Sequence, residues 1–225
     1  MTIAEEYRTL QEEIARTCRR AGRDPSEITL IAVTKTVPVE RIREAWECGV
    51  RDIGENRVQE IVAKQPLLRD LPFRWHLIGH LQTNKVKQAL PGVEMIHSVD
   101  RIGLIEEIDR RADRVVPVLL QVNVAREVSK FGADPDDAPA LVDAIVESAR
   151  MELRGFMTIA PLEGGDAAAR EAFAGLRKLR DQFTRTHPSL DLSILSMGMS
   201  GDWPIAIEEG ATHLRIGSRI FGARA

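Results

Sequence analysis

The feature that most constrains the fold is a repeated alternation between short apolar segments and longer amphipathic ones. The short segments are rich in Val, Ile and Leu with few polar interruptions, which is typical of strands buried on both faces in a parallel sheet. Each is followed by a stretch with the periodicity of a helix. Eight such strands are predicted, at residues 28–33, 50–54, 74–79, 95–99, 115–124, 153–158, 194–197 and 213–217. The alternation implies parallel strands covered by helices.

Two architectures fit this pattern, an open doubly wound sheet and a closed barrel. Eight successive units of one kind favour closure, so the sequence predicts an α/β fold, a (β/α)8 TIM barrel, in one domain spanning residues 1–225. The chain has 225 residues, near the lower end for a fold that typically takes about 250. An extra helix is predicted in residues 1–22, where one apolar stripe comprises Ile3, Tyr7, Leu10, Ile14 and Cys18.

Charge and cysteine content argue against several classes of protein. Lys plus Arg is 31 and Asp plus Glu is 34, a net charge of −3, without the clustered basic excess of a nucleic-acid surface. No apolar run approaches the ~20 residues of a membrane helix, and Glu5 and Glu6 stand where an export signal would be apolar. Cys18 and Cys48 lack the spacing of a metal motif. We therefore expect a cytoplasmic protein that binds neither nucleic acid, membrane nor metal.

Lys35 is the first candidate functional residue. In a (β/α)8 barrel the chemistry lies at the carboxyl ends of the strands, and Lys35 follows the aliphatic run of the first strand. Partial desolvation there lowers the pKa of an amine and favours its neutral, nucleophilic form. The alternative is a lysine that extends its ammonium group into solvent from the strand end.

The loops after the last two strands resemble a phosphate site. Residues 198–202, with the sequence GMSGD, and the pair Gly217 and Ser218 join strands to helix starts. In this fold such loops commonly bind phosphate, with backbone N–H groups and the helix N-terminus facing the anion. Ser200 is predicted to donate to a phosphate, whereas Asp202 is predicted to cap the following helix. Neither a Walker motif nor GxGxxG is present, so nucleotide binding is not supported.

Five blocks of sequence resemble the pyridoxal phosphate homeostasis protein family, which is related to the N-terminal barrel of alanine racemase. The blocks are AVTKT (32–36), GENRVQE (54–60), WHLIGHLQTNK (75–85), SMGMS (196–200) and RIGSRIFG (215–222). They occur in order, and the resemblance runs from about residue 28 to the C-terminus. One position departs from many relatives: Val37 stands where some members carry a second lysine.

The resemblance implies a site for pyridoxal 5'-phosphate (PLP). It makes Lys35 the residue that holds PLP as a Schiff base, the internal aldimine. It assigns the phosphate to Ser200, Gly217 and Ser218, and it places Asn56 in the wall of the pocket. It also places Arg215 beside the pyridine nitrogen. A permanent positive charge there disfavours protonation of that nitrogen, which makes the ring a poorer electron sink. The alternative for Arg215 is an ion pair inside the barrel.

Two functions follow from this site. The first is a non-catalytic, monomeric carrier that holds PLP and supplies it to PLP-dependent apo-enzymes. The alternative is an amino-acid racemase of weak activity, which needs acid/base groups on both faces of the substrate carbon. Lys35 serves one face, His80 is the candidate for the other, and the one tyrosine, Tyr7, lies in the leading helix. Because the predicted barrel takes up the 225 residues, we expect no counterpart of the C-terminal domain of alanine racemase, which favours the carrier.

The pair His76 and His80 has the spacing of two zinc ligands on a helix. The intervening residues are predicted to end a strand, so the two rings should not share a face. We expect His76 inside the barrel and His80 at the rim of the pocket.

Overall fold

The structure is a computed structural model that describes residues 2–127 and 130–222. Eight parallel strands form one closed barrel in the order of the sequence, which confirms the predicted (β/α)8 fold. Closure is made by β1, which pairs with β8 at Leu30 and Leu214 and with β2 at Ala32 and Ile53. The strands are β1 (Thr29–Val33), β2 (Asp52–Glu55), β3 (Arg74–Leu77), β4 (Met95–Val99), β5 (Val116–Gln121), β6 (Met151–Met157), β7 (Ile194–Ser196) and β8 (His213–Ile216).

Nine α-helices lie in the described residues, and one of them precedes β1 as predicted. That helix, α1, begins with a capping box in which the Thr2 side chain accepts from the Glu5 N–H and the Glu5 carboxylate accepts from the Thr2 N–H. The helices are α1 (Ile3–Arg20), α2 (Val39–Glu47), α3 (Val58–Lys64), α4 (Val86–Ala89), α5 (Ile102–Arg111), α6 (Ala138–Glu147), α7 (Gly165–Thr186), α8 (Trp203–Glu208) and α9 (Ser218–Phe221).

Several elements are shorter than the sequence pattern predicts, and in three of them a single residue accounts for the difference. The sequence pattern predicts helices from about residue 57 to 68 and from residue 84 to 90, but these two helices end earlier, at Lys64 and Ala89, and continue as 3-10 turns that contain Pro66 and Pro91. Proline lacks the N–H that an α-helix interior needs, so the turn tightens there. The fifth strand ends at Gln121 instead of residue 124, because the Asn123 side chain donates to the Glu127 carbonyl and closes a loop.

The buried apolar residues form two clusters, and the smaller one is important for the site. The larger cluster joins the outer face of the barrel to the helices. The smaller consists of Met95, Leu119, Met157 and Ile194, contributed by β4, β5, β6 and β7. The buried polar residues on the strands include Asp52, His76, His97, Ser196 and Arg215. The barrel therefore has a partly polar interior below the carboxyl ends of its strands.

Within the described ranges, none of the helices combines the length and apolar character that crossing a bilayer requires.

Candidate functional site

A small cavity opens at the carboxyl ends of the strands, where this fold places its chemistry. Its volume is about 260 Å³. All six residues predicted from the sequence line it, although they come from four separate parts of the chain. The lining residues are Val33, Lys35, Asn56, Ile78, Ile159, Met199, Ser200, Gly201, Arg215, Gly217 and Ser218. The fold therefore brings an amine, two hydroxyls, a carboxamide and a guanidinium to one small space.

Lys35 lies two residues beyond the end of β1 and is half-buried. Its side chain lines the 260 Å³ cavity and a neighbouring one of about 360 Å³. The turn that carries it is closed by the Val37 N–H, which donates to the Thr34 carbonyl at 2.9 Å. Thr36 has a φ of 62°, a left-handed conformation that is uncommon for a residue other than glycine. Such backbone strain persists only where neighbouring contacts hold it.

Those contacts come from a cluster of three charged residues and one threonine that we call the Lys64 clamp: Thr34, Glu55, Glu60 and Lys64. The Lys64 ammonium donates to the Thr34 carbonyl at 2.8 Å and to Glu55 Oε1 at 2.7 Å. The Glu60 carboxylate accepts from Lys64 and from the Thr36 N–H, both at 2.8 Å. The clamp thus fixes the backbone on both sides of Lys35. Sequence reasoning missed it, although Glu55 at the end of a buried strand was a usable signal.

Glu55 is the buried member of the Lys64 clamp. Its side chain is 0% exposed, and Oε2 has no hydrogen-bond partner in the described part of the chain. Burial raises the pKa of this carboxyl from 4.5 to about 7, because the opposing bonds from Lys64 and Thr34 do not offset the loss of hydration. A carboxyl group whose pKa is raised by folding stabilises the folded protein more when it is protonated than when it is ionised.

We expect this pKa to appear as a pH dependence of stability. Because the folded pKa lies above the unfolded value of 4.5, the contribution of Glu55 is full below 4.5 and is lost as pH rises through about 7. A shift of this size corresponds to about 3 kcal/mol. Urea denaturation of the wild type and of Glu55→Gln measures it, since other titrating groups are common to both proteins. The wild type should lose about 3 kcal/mol relative to Glu55→Gln between low and high pH; parallel curves would contradict the assignment.

The loops after β7 and β8 meet at two serine hydroxyls. Ser218 Oγ donates to Ser200 Oγ at 2.9 Å. Between β8 and Ser218, Gly217 packs so tightly that a Cβ would lie 2.9 Å from the Val33 carbonyl oxygen. Only glycine fits there without moving β1, the strand that leads to Lys35. The helices that follow have six and four residues, so local hydroxyl and N–H donors count for more here than helix dipoles.

Asp202 differs from its predicted role. It stands at the N-cap position of α8, but its side chain makes no hydrogen bond to that helix. Its carboxylate instead accepts from the Met199 N–H at 2.5 Å, within the loop itself. Asp202 therefore shapes the loop that presents Ser200 and does not satisfy the first N–H groups of the helix.

Arg215 is the buried cation of the site. It is 4% exposed, and its guanidinium donates to Ser196 Oγ at 2.6 Å and to the Thr158 carbonyl at 2.8 Å. Burial lowers its pKa to about 10, opposed by the charge of Asp202, so Arg215 stays protonated at neutral pH. Among residues 2–127 and 130–222 no ion pair is formed by Arg215, so the interior ion-pair alternative is not what the structure contains.

The two histidines of the third block lie in different surroundings. His76 is 3% exposed and lies inside the barrel, where its ring nitrogens are within hydrogen-bonding distance of Asp52 and His97. His80 stacks on Phe131 at a centroid distance of 4.1 Å and lines a cavity of about 830 Å³. That larger cavity shares Asn56, Ile78 and Ile159 with the Lys35 cavity, so the two spaces adjoin. The rings do not share a face, as the sequence predicts.

Comparison with known proteins gives consistent results. The sequence model of the family described as "Alanine racemase, N-terminal domain" matches residues 7–225. The pyridoxal phosphate homeostasis protein of Aquifex aeolicus is 44% identical over 227 aligned positions, which cover 100% of this chain and 99% of that relative. PipY of Synechococcus elongatus without PLP is similar at a TM-score of 0.90 and 41% identity, over 98% of this chain and 100% of PipY. PipY with PLP bound gives 0.87 and 40%, with the same coverage.

Proposed function

This chain belongs to the pyridoxal phosphate homeostasis protein family, and on that premise we propose that it carries PLP on Lys35 and supplies it to PLP-dependent enzymes. The observation that carries the proposal is the convergence of six predicted residues on one cavity. A similar protein, PipY, has been solved with PLP bound. We propose further that the carrier is monomeric and non-catalytic.

The donor set of the cavity fits an anionic aromatic aldehyde. The paired hydroxyls of Ser200 and Ser218, beside the side-chain-free Gly217, form a cradle for a phosphate group. Lys35 supplies the primary amine that joins an aldehyde as a Schiff base, with the aldehyde oxygen leaving as water. A volume of about 260 Å³ suits one small ring with its phosphate.

Arg215 supports a holding role over a catalytic one. When bound, PLP supplies an electron sink, and its strength depends on protonation of the ring nitrogen. We propose that the Arg215 guanidinium faces that nitrogen and keeps it unprotonated, since a protonated ring beside a buried cation is unfavourable. The covalent bond to Lys35 then serves to retain the aldehyde and protect it from other amines.

Racemase activity is the second candidate, because His80 lines a cavity that adjoins the Lys35 cavity. His80 is, however, stacked against Phe131 and lies 3.5 Å from a carboxylate oxygen of Asp100. The tyrosine of the chain, Tyr7, is 6% exposed within the packing of α1 and cannot serve as the second base. These contacts favour the carrier.

Transfer to an apo-enzyme tests the proposal. The PLP-loaded protein is mixed with a PLP-dependent apo-transaminase, in the presence of a phosphatase that destroys free PLP. We expect reactivation by the loaded protein and little reactivation by the same amount of free PLP. Lys35→Ala, treated in the same way, should behave like free PLP. Equal reactivation by carrier and free PLP would remove the supply role.

A chiral assay with alanine and other amino acids covers the alternative. If the protein is a carrier, we expect no interconversion of the amino-acid enantiomers above background. Turnover by the wild type that disappears in Lys35→Ala would replace the carrier with an enzyme.

A further inference from the structure

A continuous line of hydrogen bonds crosses the interior of the barrel and ends at Arg215. It consists of Asp52 on β2, His76 on β3, His97 on β4, Ser196 on β7 and Arg215 on β8, and we call it the barrel relay. None of the five is more than 6% exposed. The successive distances are 3.1 Å from Asp52 Oδ1 to His76 Nε2, 3.0 Å from His76 Nδ1 to His97 Nε2, 2.9 Å from His97 Nδ1 to Ser196 Oγ and 2.6 Å from Ser196 Oγ to Arg215 Nη1.

The two ends of the barrel relay fix its direction. A guanidinium only donates hydrogen bonds, so Ser196 Oγ accepts from Arg215. At the other end, the carboxylate of Asp52 only accepts. Burial alone would raise the pKa of Asp52, but its hydrogen bonds from His76 and Arg74 lower it to about 2, so it is ionised at neutral pH.

With both imidazole rings neutral, the direction of the ends determines the proton positions between them. His76 then donates from Nε2 to Asp52 and accepts at Nδ1. His97 therefore donates from Nε2 to His76 and accepts at Nδ1 from the Ser196 hydroxyl. Burial lowers the pKa of His97 well below its usual range, which agrees with a neutral ring. Both histidines thus carry their proton on Nε2, and every bond points from the cation toward the carboxylate.

Such an aligned line strengthens each of its bonds. Hydrogen bonds in a low-dielectric interior polarise one another when their dipoles point the same way. Arg215 has a positive charge in the barrel without an ion pair of its own in the described ranges, and the relay connects it to the carboxylate of Asp52. A substitution that breaks the line far from Arg215 should therefore weaken the hydrogen bond between Ser196 and the Arg215 guanidinium.

We propose that Asp52, His76, His97 and Ser196 are positioning residues that act through Arg215, holding its guanidinium at the cavity. This positioning role rests on the proposed function, because the group that Arg215 would face is the pyridine ring of PLP. The relay itself is a property of the protein before PLP binds. It assigns a task to polar residues that lie deep below the cavity, where apolar side chains would otherwise fill a barrel.

The first test is the tautomeric state of the histidines in the protein without PLP. The chain has five histidines, so the nitrogen signals of each ring can be assigned with single variants. Long-range proton–nitrogen NMR correlations distinguish a proton on Nε2 from one on Nδ1. We expect Nε2–H with a bare Nδ1 for both His76 and His97. A proton on Nδ1 of either ring, or a doubly protonated ring, overturns the relay.

The second test breaks the relay one step and two steps from the guanidinium. Ser196→Ala removes the acceptor of Arg215, and His97→Gln reaches only the Nε2 position and leaves the hydroxyl without its acceptor. In nitrogen-15 spectra, we expect slowly exchanging side-chain N–H signals of Arg215 in the wild type and their broadening in both variants. Thr17→Val is the matched control, since it deletes a buried hydroxyl that accepts from a guanidinium, that of Arg20, and that does not line the Lys35 cavity.

Binding of PLP completes the test. Loss of one buried hydrogen bond should weaken PLP binding about tenfold in Ser196→Ala and His97→Gln, with binding by Thr17→Val unchanged. Unaltered Arg215 signals in both variants would overturn the positioning role, whatever happens to binding. A wild type that does not bind PLP would remove the proposed function, and the histidine and Arg215 spectra would still decide whether the relay exists.

Discussion

Lys35→Ala is expected to abolish covalent capture of PLP. The Schiff base requires a primary amine at the cavity, and Lys35 is the lysine that lines it. Wild-type protein treated with PLP should gain the visible absorption of a protonated Schiff base. Reduction with borohydride should then leave a stable adduct, which peptide mass mapping places on Lys35. In Lys35→Ala both the absorption and the adduct should be absent.

The controls for this prediction separate chemistry from folding. Lys87→Ala removes an exposed lysine of α4, away from the cavity, and should label as the wild type does. The phosphate cradle that we propose at Ser200 and Ser218 is left unchanged by Lys35→Ala, so weak, reversible PLP binding should persist and can be followed by equilibrium dialysis. An adduct that maps to another lysine in the wild type would remove Lys35 from the site.

The sequence was sufficient for the architecture because the pattern that specifies a buried strand is local. The run at residues 28–33 is short, mostly apolar and followed by helical periodicity, so β1 can be placed from neighbouring residues alone. The boundaries failed where a side chain changed the backbone, as at Pro66, Pro91 and Asn123. These effects depend on one residue and its contacts, which periodicity does not contain.

The functional site likewise contains residues that could be predicted from the sequence and residues that could not. Lys35 and the serine loops could be predicted because the fold fixes which strand ends meet, and each carried its own chemical signal. The barrel relay could not be predicted, because its bonds join residues far apart in the chain, such as His97 and Ser196, which are 99 positions apart. His97 reads in the sequence as one polar residue inside a strand. Its role becomes visible only when the closed barrel brings β4 and β7 to opposite ends of one hydrogen bond.

Gly79→Ala is expected to have the largest effect on stability of the substitutions considered. A Cβ at this position would lie 2.2 Å from the Asn56 carbonyl oxygen and 2.7 Å from its Cα. Both are backbone atoms, so no side-chain rotation relieves the clash. The surroundings are also held, since the Ile78 N–H donates to the Glu55 carbonyl and Ser98 Oγ donates to the Gly79 carbonyl.

The relief must therefore come from moving the segment that carries Glu55 and Asn56. We expect a loss of about 3 kcal/mol in the free energy of unfolding, measured by urea denaturation. Because Asn56 lines the Lys35 cavity, the folded fraction should also bind PLP more weakly. Gly103→Ala in α5 is the matched control, since its Cβ meets nothing within 4 Å and a helix favours alanine by up to about 1 kcal/mol. If Gly79→Ala were as stable as Gly103→Ala and labelled equally at Lys35, the close approach of Gly79 to Asn56 would have no part in building the site.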